Sequence, residues 1–160
     1  MWILDWRFRI FVIAGLQVNS NSEMNLKKDD IMKRLKALAV NTGKLCLGLD
    51  YNIVNKTYTS QIVRCSSSAS ANYRAACRGK SKADFLNKLR IVEEELDETM
   101  HFYELLAEFN EHCKQQLREL YIEANELLSI IVASINTTIK NMVADKEKTS
   151  IQKVNPKSAI

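Results

Sequence analysis

A chain of 160 residues, 46% hydrophobic and 26% charged, is long enough for one domain with its own core, and its balance is that of an ordinary soluble protein. Four cysteines without a CxxC pair argue against a disulfide framework and for reduced thiols. Four glycines and a single proline, Pro156 in the tail, leave few breakers, which favours long helices over turn-rich β structure.

Residues 1–23 differ in character from the rest. They hold both tryptophans, Trp2 and Trp6, and an apolar run from Ile10 to Leu16 that is too short to span a membrane. Arg7 and Arg9 ahead of that run resemble the start of a weak signal peptide, yet Asp5 intrudes and no A-x-A cleavage site follows. Met24-Asn25-Leu26-Lys27-Lys28 reads as an ordinary start. Residues 1–23 are therefore set apart as an extension, with a cleaved signal and a genuine N-terminal helix as alternatives. The domain is expected over residues 24–146, with a polar, disordered tail over 147–160.

The first helix is expected to begin at Asp29-Asp30, since acids suit a helix N-terminus. Ile31, Leu35, Leu38, Thr42, Leu45 and Leu49 step by four and three and so share one face. Gly48, Asp50 and Asn52 mark a turn. The second helix is expected over about residues 54–78, with the seam Tyr58, Ile62, Cys65, Ala69, Asn72 and Ala76. Its side chains are mostly small, so a neighbouring helix can approach closely. Ser66-Ser67-Ser68 forms helix poorly in isolation and needs packing to hold it.

Gly79 is placed as a C-terminal glycine of that helix. Ser81-Lys82-Ala83-Asp84 resembles a capping box with Asp where Glu is usual. The third helix then carries Phe85, Leu89, Val92, Leu96, Thr99, Tyr103, Leu106 and Phe109 at heptad-like spacing. The fourth is expected over about residues 112–146, with the seam Leu117, Leu120, Ala124, Leu127, Ile131, Ile135, Thr138 and Met142. Leu128, Ile130 and Val132 widen that face, which suggests a further contact such as another subunit. Helices three and four should each be roughly 40–50 Å long at ~1.5 Å per residue. Four amphipathic helices with short connections fold most simply as an all-α, up-down-up-down four-helix bundle.

Charge is unevenly spread. Between residues 61 and 83 stand Arg64, Arg74, Arg78, Lys80 and Lys82 with no acid, whereas residues 84–111 hold nine acids and two bases, Lys88 and Arg90. Such polarity serves a nucleic acid on the basic side or the pairing of opposite patches between copies. The plain alternative is that each run is the solvated face of a helix.

Over roughly Asp30 to Lys140, the whole expected bundle, the chain resembles the bacterial four-helix-bundle family associated with intervening sequences in 23S ribosomal RNA genes. The matching residues are Asn72-Tyr73-Arg74-Ala75-Ala76-Cys77-Arg78, Lys80-Ser81-Lys82-Ala83-Asp84-Phe85, Lys88-Leu89, Ile91-Val92-Glu93-Glu94-Glu95 and Asp97-Glu98-Thr99. Glu104-Leu105-Leu106, Glu123-Ala124-Asn125-Glu126-Leu127 and Val132-Ala133-Ser134-Ile135 also fit. Gly79 and Ser66-Ser67-Ser68 depart from the family's pattern. The family is similar to the accessory bundle protein of diversity-generating retroelements, a basic pentameric barrel that binds nucleic acid. The resemblance implies a cytoplasmic homo-oligomeric ring, possible pentamers included, with no enzymatic activity.

Site chemistry is sparse. On the second helix Arg64, Ala71 and Arg78 lie seven apart with Arg74 close by, and Lys80 and Lys82 extend the stripe past the turn. These five bases are the candidate nucleic-acid contacts, able to follow the shape and charge of RNA or DNA without reading bases. The alternative is a scaffold in which Arg74 and Arg78 pair with the Glu93–Glu98 cluster of a neighbouring subunit. Glu98-Thr99-Met100-His101 is a single E-x-x-H, where a di-iron bundle needs two plus further glutamates. His112-Cys113 is too isolated to argue for zinc. Cys77 lies near Arg74, Arg78 and Lys80, which would lower its pKa, although a buried seam thiol is the simpler reading. No catalytic residue, metal, cofactor or small-molecule substrate is therefore expected.

Overall fold

The structure is a computed structural model that describes the backbone of residues 20–154 and the side chains of residues 28–148. Four helices follow one another: α1 (Ser20–Leu47), α2 (Ile53–Ala76), α3 (Lys82–Phe109) and α4 (Lys114–Val154), with one 3-10 turn, Glu111–Cys113, ahead of α4. Short connections make successive helices antiparallel, and the architecture is an all-α, up-down-up-down four-helix bundle.

Local signals explain most helix ends. Asn52 caps α2, its side chain accepting a hydrogen bond from the Asn55 amide at 2.8 Å. Ser81 caps α3 in the same way, accepting from the Asp84 amide at 3.1 Å. Only that half of the expected capping box forms among the described residues. Gly79 differs from its expected role. Its backbone is not left-handed, and α2 closes one turn earlier through Cys77 N to Tyr73 O at 3.0 Å and Gly79 N to Ala76 O at 2.9 Å. The glycine is needed for room, since a Cβ there would stand 3.0 Å from both the Ala76 carbonyl and the Asp84 carboxylate.

Two helices are longer than expected. Asp29 and Asp30 lie inside α1, more than two turns after Ser20, so the acidic pair is not a helix start. The same helix crosses the boundary drawn at Met24, while the readings made for residues 1–19 lie outside the described residues. At the other end α4 continues past Lys146 to Val154. At 41 residues it is about 60 Å long. The span Glu111–Lys148, which joins the 3-10 turn to most of α4, is by length and composition apolar enough to cross a membrane. In the bundle, Leu117, Ala124, Leu127, Ile131 and Ile135 of that span are buried in the core.

The core is the set of seams meeting on the bundle axis. Leu35 and Leu38 of α1, Ile62, Cys65 and Ala69 of α2, and Leu89, Val92, Leu96 and Leu106 of α3 are all essentially inaccessible. Tyr73 rather than Asn72 completes the α2 seam, and Phe109, expected in the seam of α3, is 58% exposed at the helix end, its ring 6.0 Å from that of Tyr58. The three consecutive serines go three ways. Ser66 is buried, Ser67 faces outward beside α1, and Ser68 donates to Glu95 of α3 at 2.8 Å. Small side chains at this point let both neighbours come close, which supplies the packing that the serine run requires.

Among the described residues, buried polar side chains are paired. Asn55 and Asn110, each 2% exposed, exchange amide hydrogen bonds of 2.8 and 2.9 Å. Thr42 bonds the Leu38 carbonyl at 2.7 Å and the Tyr103 hydroxyl at 2.5 Å. Burial pushes the Tyr103 hydroxyl well above the usual tyrosine range, with the Thr42 bond acting the other way. Arg34 ties α1 to α4, donating to both carboxylate oxygens of Glu123 at 2.8 Å and to Glu126 at 2.9 Å. Arg34→Ala would break this fork and leave two carboxylates side by side. We expect a loss of about 1–2 kcal/mol in urea denaturation, shrinking at high salt. A cost unchanged by salt would assign it to lost packing instead.

Candidate functional site

The helical periodicity of α1 and α2 builds a groove along their outer side. On α1, Asp29, Met32, Lys33, Lys36, Ala39 and Val40 recur at three- and four-residue steps, and on α2 Ser67, Ser70, Ala71, Arg74 and Arg78 do the same. The groove encloses about 710 Å³. Its floor is small and neutral, and Lys33, Lys36, Arg74 and Arg78 stand around it against one carboxylate, Asp29. Among the described residues, none of these four cations makes an ion pair or a side-chain hydrogen bond. Unpaired cations gathered over a neutral floor concentrate positive potential, and helix spacing sets the members of each row one turn apart, about 5–6 Å between Cβ atoms.

The five residues singled out by sequence are not one stripe. Arg74 and Arg78 face the groove, and Lys80 is exposed in the turn just beyond Arg78. Arg64 points toward α3, where it pairs with Glu95 at 3.3 Å and Glu98 at 2.5 Å. A helix drifts by ~20° per seven residues, so fourteen residues rotate Arg64 by about 40° from Arg78. That turn carries it from the α1 side to the α3 side. Lys82 is the first residue of α3 and pairs with Asp145 of α4 at 2.5 Å. The α3 cluster expected to meet Arg74 and Arg78 of another subunit is thus partly engaged by Arg64 of its own chain. Lys33 and Lys36 were not foreseen. Their signal was present as a three-residue spacing of lysines on α1 opposite its buried leucines, but it becomes a site only when α2 is laid alongside.

Burial pushes the Cys77 thiol up, with the Tyr73 hydroxyl and Lys28 acting the other way, so its basic neighbours in sequence do not activate it. Cys46 is raised to about 11 by burial and the proximity of Cys113. All four cysteines are free thiols. Within the E-x-x-H, Glu98 is held by Arg64 and Thr99 is turned into the core, bonded to the Glu95 carbonyl at 2.7 Å. Among the described residues no three His, Cys, Asp or Glu side chains gather as metal ligands do.

The far side of the bundle has the opposite sign. Glu94, Asp97, Glu104 and Glu108 form an exposed row on α3. Tyr121 of α4 lies against it, its hydroxyl raised first by burial and then by the charge of Glu104. Exposed apolar side chains collect at one end, around the α1–α2 turn: Leu47 at 89%, Tyr51 at 85% and Ile53 at 76% exposure.

Comparison with known proteins places the chain. Residues 27–133, more than half of its length, match the model of a family described as 23S rRNA-intervening sequence protein. A crystal structure of a protein with unknown function from the S23 ribosomal protein family of Bacteroides thetaiotaomicron VPI-5482 is similar, with a TM-score of 0.60 and 27% identity. The match covers 69% of this chain and 98% of that one. No curated protein matches.

Proposed function

We propose, from the premise that this chain belongs to the 23S rRNA-intervening sequence protein family, that it is a non-enzymatic cytoplasmic module that self-associates and binds structured RNA through the α1–α2 groove. The observation that carries this reading is the set of four groove cations that, among the described residues, have no intramolecular ion-pair partner and face a single carboxylate, Asp29. Neutralising phosphates is the chemistry such an arrangement performs best, since each cation displaces counterions from the nucleic acid. Two base rows around a neutral floor follow a backbone by shape and charge rather than by base edges. Lys80, exposed beside Arg78, extends the track at one end.

Self-association is supported by a separate observation, the exposed Leu47, Tyr51 and Ile53 at one end together with Val143 at 51% exposure on α4. Closed rings, pentamers among them, repeat one groove around the assembly, so that weak contacts add. A pure scaffold is the second reading, favoured by the exposed α3 acids that complement the groove of another copy.

The deciding experiment titrates the full chain with a structured RNA across salt and repeats it with Arg74→Gln, Arg78→Gln and Lys80→Gln combined. Steep salt dependence that flattens in the variant is the expected result. No binding at low salt by a folded protein, with sedimentation shifting to smaller species in the variant, would establish the scaffold instead.

A further inference from the structure

Hydroxyls on helices usually bond the carbonyl three or four residues back. Most of those in this bundle do so: Thr57, Thr59, Ser129, Ser134, Thr137 and Thr138 each donate to such a carbonyl at 2.6–2.9 Å. Ser67 and Ser70 are different. Both line the groove, and among the described residues neither hydroxyl has a hydrogen-bond partner. They sit on α2 in line with Arg74 and Arg78, so that face reads hydroxyl, hydroxyl, cation, cation along the groove. On α1, which runs antiparallel, Asp29 lies near both Tyr73 and Cys77. Seven residues further along α1, Lys36 therefore lies beside the stretch of α2 that carries Ser67 and Ser70. A cation and a free hydroxyl thus face the same stretch of floor from opposite walls.

We infer that the groove takes one sugar-phosphate strand of RNA, with Ser67 and Ser70 selecting ribose over deoxyribose. The inference rests on the groove being the nucleic-acid site. The cations alone cannot discriminate, because RNA and DNA present the same phosphates. A hydroxyl beside the phosphate track both donates and accepts, as does the ribose 2′-hydroxyl, and that group is what allows a protein to tell RNA from DNA at one position. Deoxyribose offers no partner there, and an unpaired serine loses contact with water on binding without compensation.

The test compares oligouridylate and oligodeoxyuridylate of equal length, which differ only at the 2′ position, at one low salt concentration. The full chain is measured beside Ser67→Ala/Ser70→Ala. Alanine raises helix propensity at both positions, and equal melting curves check that the variant folds. The expected preference for RNA is about three- to tenfold per hydroxyl. It should vanish in the variant, with RNA binding weakened and DNA binding strengthened as the uncompensated loss of serine hydration is removed. Equal affinity of the native chain for both strands, or a preference that survives the two substitutions, overturns the inference while leaving the groove intact. Failure to bind any nucleic acid, structured RNA included, overturns the groove reading itself.

Discussion

Replacing Asn110 with alanine is expected to lower stability by about 2–4 kcal/mol, read as a fall in the midpoint of urea denaturation with an unchanged slope. Asn110 sits just past the end of α3, and its side chain makes three hydrogen bonds. Its amide donates to Asn55 at 2.8 Å and to the Leu106 carbonyl at 2.9 Å, and its oxygen accepts from Asn55 at 2.9 Å. Asn55 in turn donates to the Asp50 carbonyl at 2.9 Å. One amide pair therefore fixes the end of α3, the start of α2 and the loop between α1 and α2. The loss exceeds that of an ordinary hydrogen bond because the substitution removes the partner of the buried Asn55 oxygen. Asn55→Ala should cost a similar amount. The double variant should cost much less than the sum, with a coupling of about 1–3 kcal/mol. Additive effects, or a cost for Asn110→Ala below about 0.5 kcal/mol, would show that the pair is not a unit. Helix packing by apolar seams tolerates sliding, and a reciprocal amide pair forms in one register only, so the pair also selects that register.

This pair also shows what a sequence hides. The apolar seams were legible because helical periodicity is local: Leu35, Leu38, Ile62, Leu89, Leu96, Leu117 and Leu127 fall in the core where three- and four-residue steps put them. Asn55 and Asn110 are 55 residues apart, and each alone looks like a turn or cap residue, so nothing local marks them as partners. Asp29-Asp30 misled for a related reason. An acidic pair suits a helix start, but an equally common place for acids is a solvated face, and only the continuation of α1 back to Ser20 separates the two. The candidate site divided in the same way. Arg74 and Arg78 were visible as bases without nearby acids, whereas the fate of Arg64 depended on α3, and the part of Lys33 and Lys36 depended on α2. Properties of one helix could be read, and properties of a pair of helices could not.

That division leads to the second large effect, a contrast between two sets of bases that sequence alone treats alike. Lys33→Gln, Lys36→Gln, Arg74→Gln and Arg78→Gln together should abolish most of the salt dependence of RNA binding. Arg64→Gln with Lys82→Gln should leave it nearly untouched. For a single strand each neutralised phosphate contributes about −0.7 to the slope of log affinity against log salt, so four contacts give about −2.8. A fourfold rise in salt should then weaken the native chain about fiftyfold, and the four-residue variant by little. Arg64 and Lys82 differ because their charges are already engaged, by Glu95 and Glu98 and by Asp145. A phosphate would have to displace a carboxylate, so little net charge is available to it. Lys33→Gln with Lys36→Gln alone is the sharper half of the comparison. It should remove about half of the slope although neither lysine lies in the basic stretch of the sequence. A slope that follows Arg64 and Lys82 instead would move the binding face from the α1–α2 groove to the α2–α3 side, where those carboxylates must then let go of their partners.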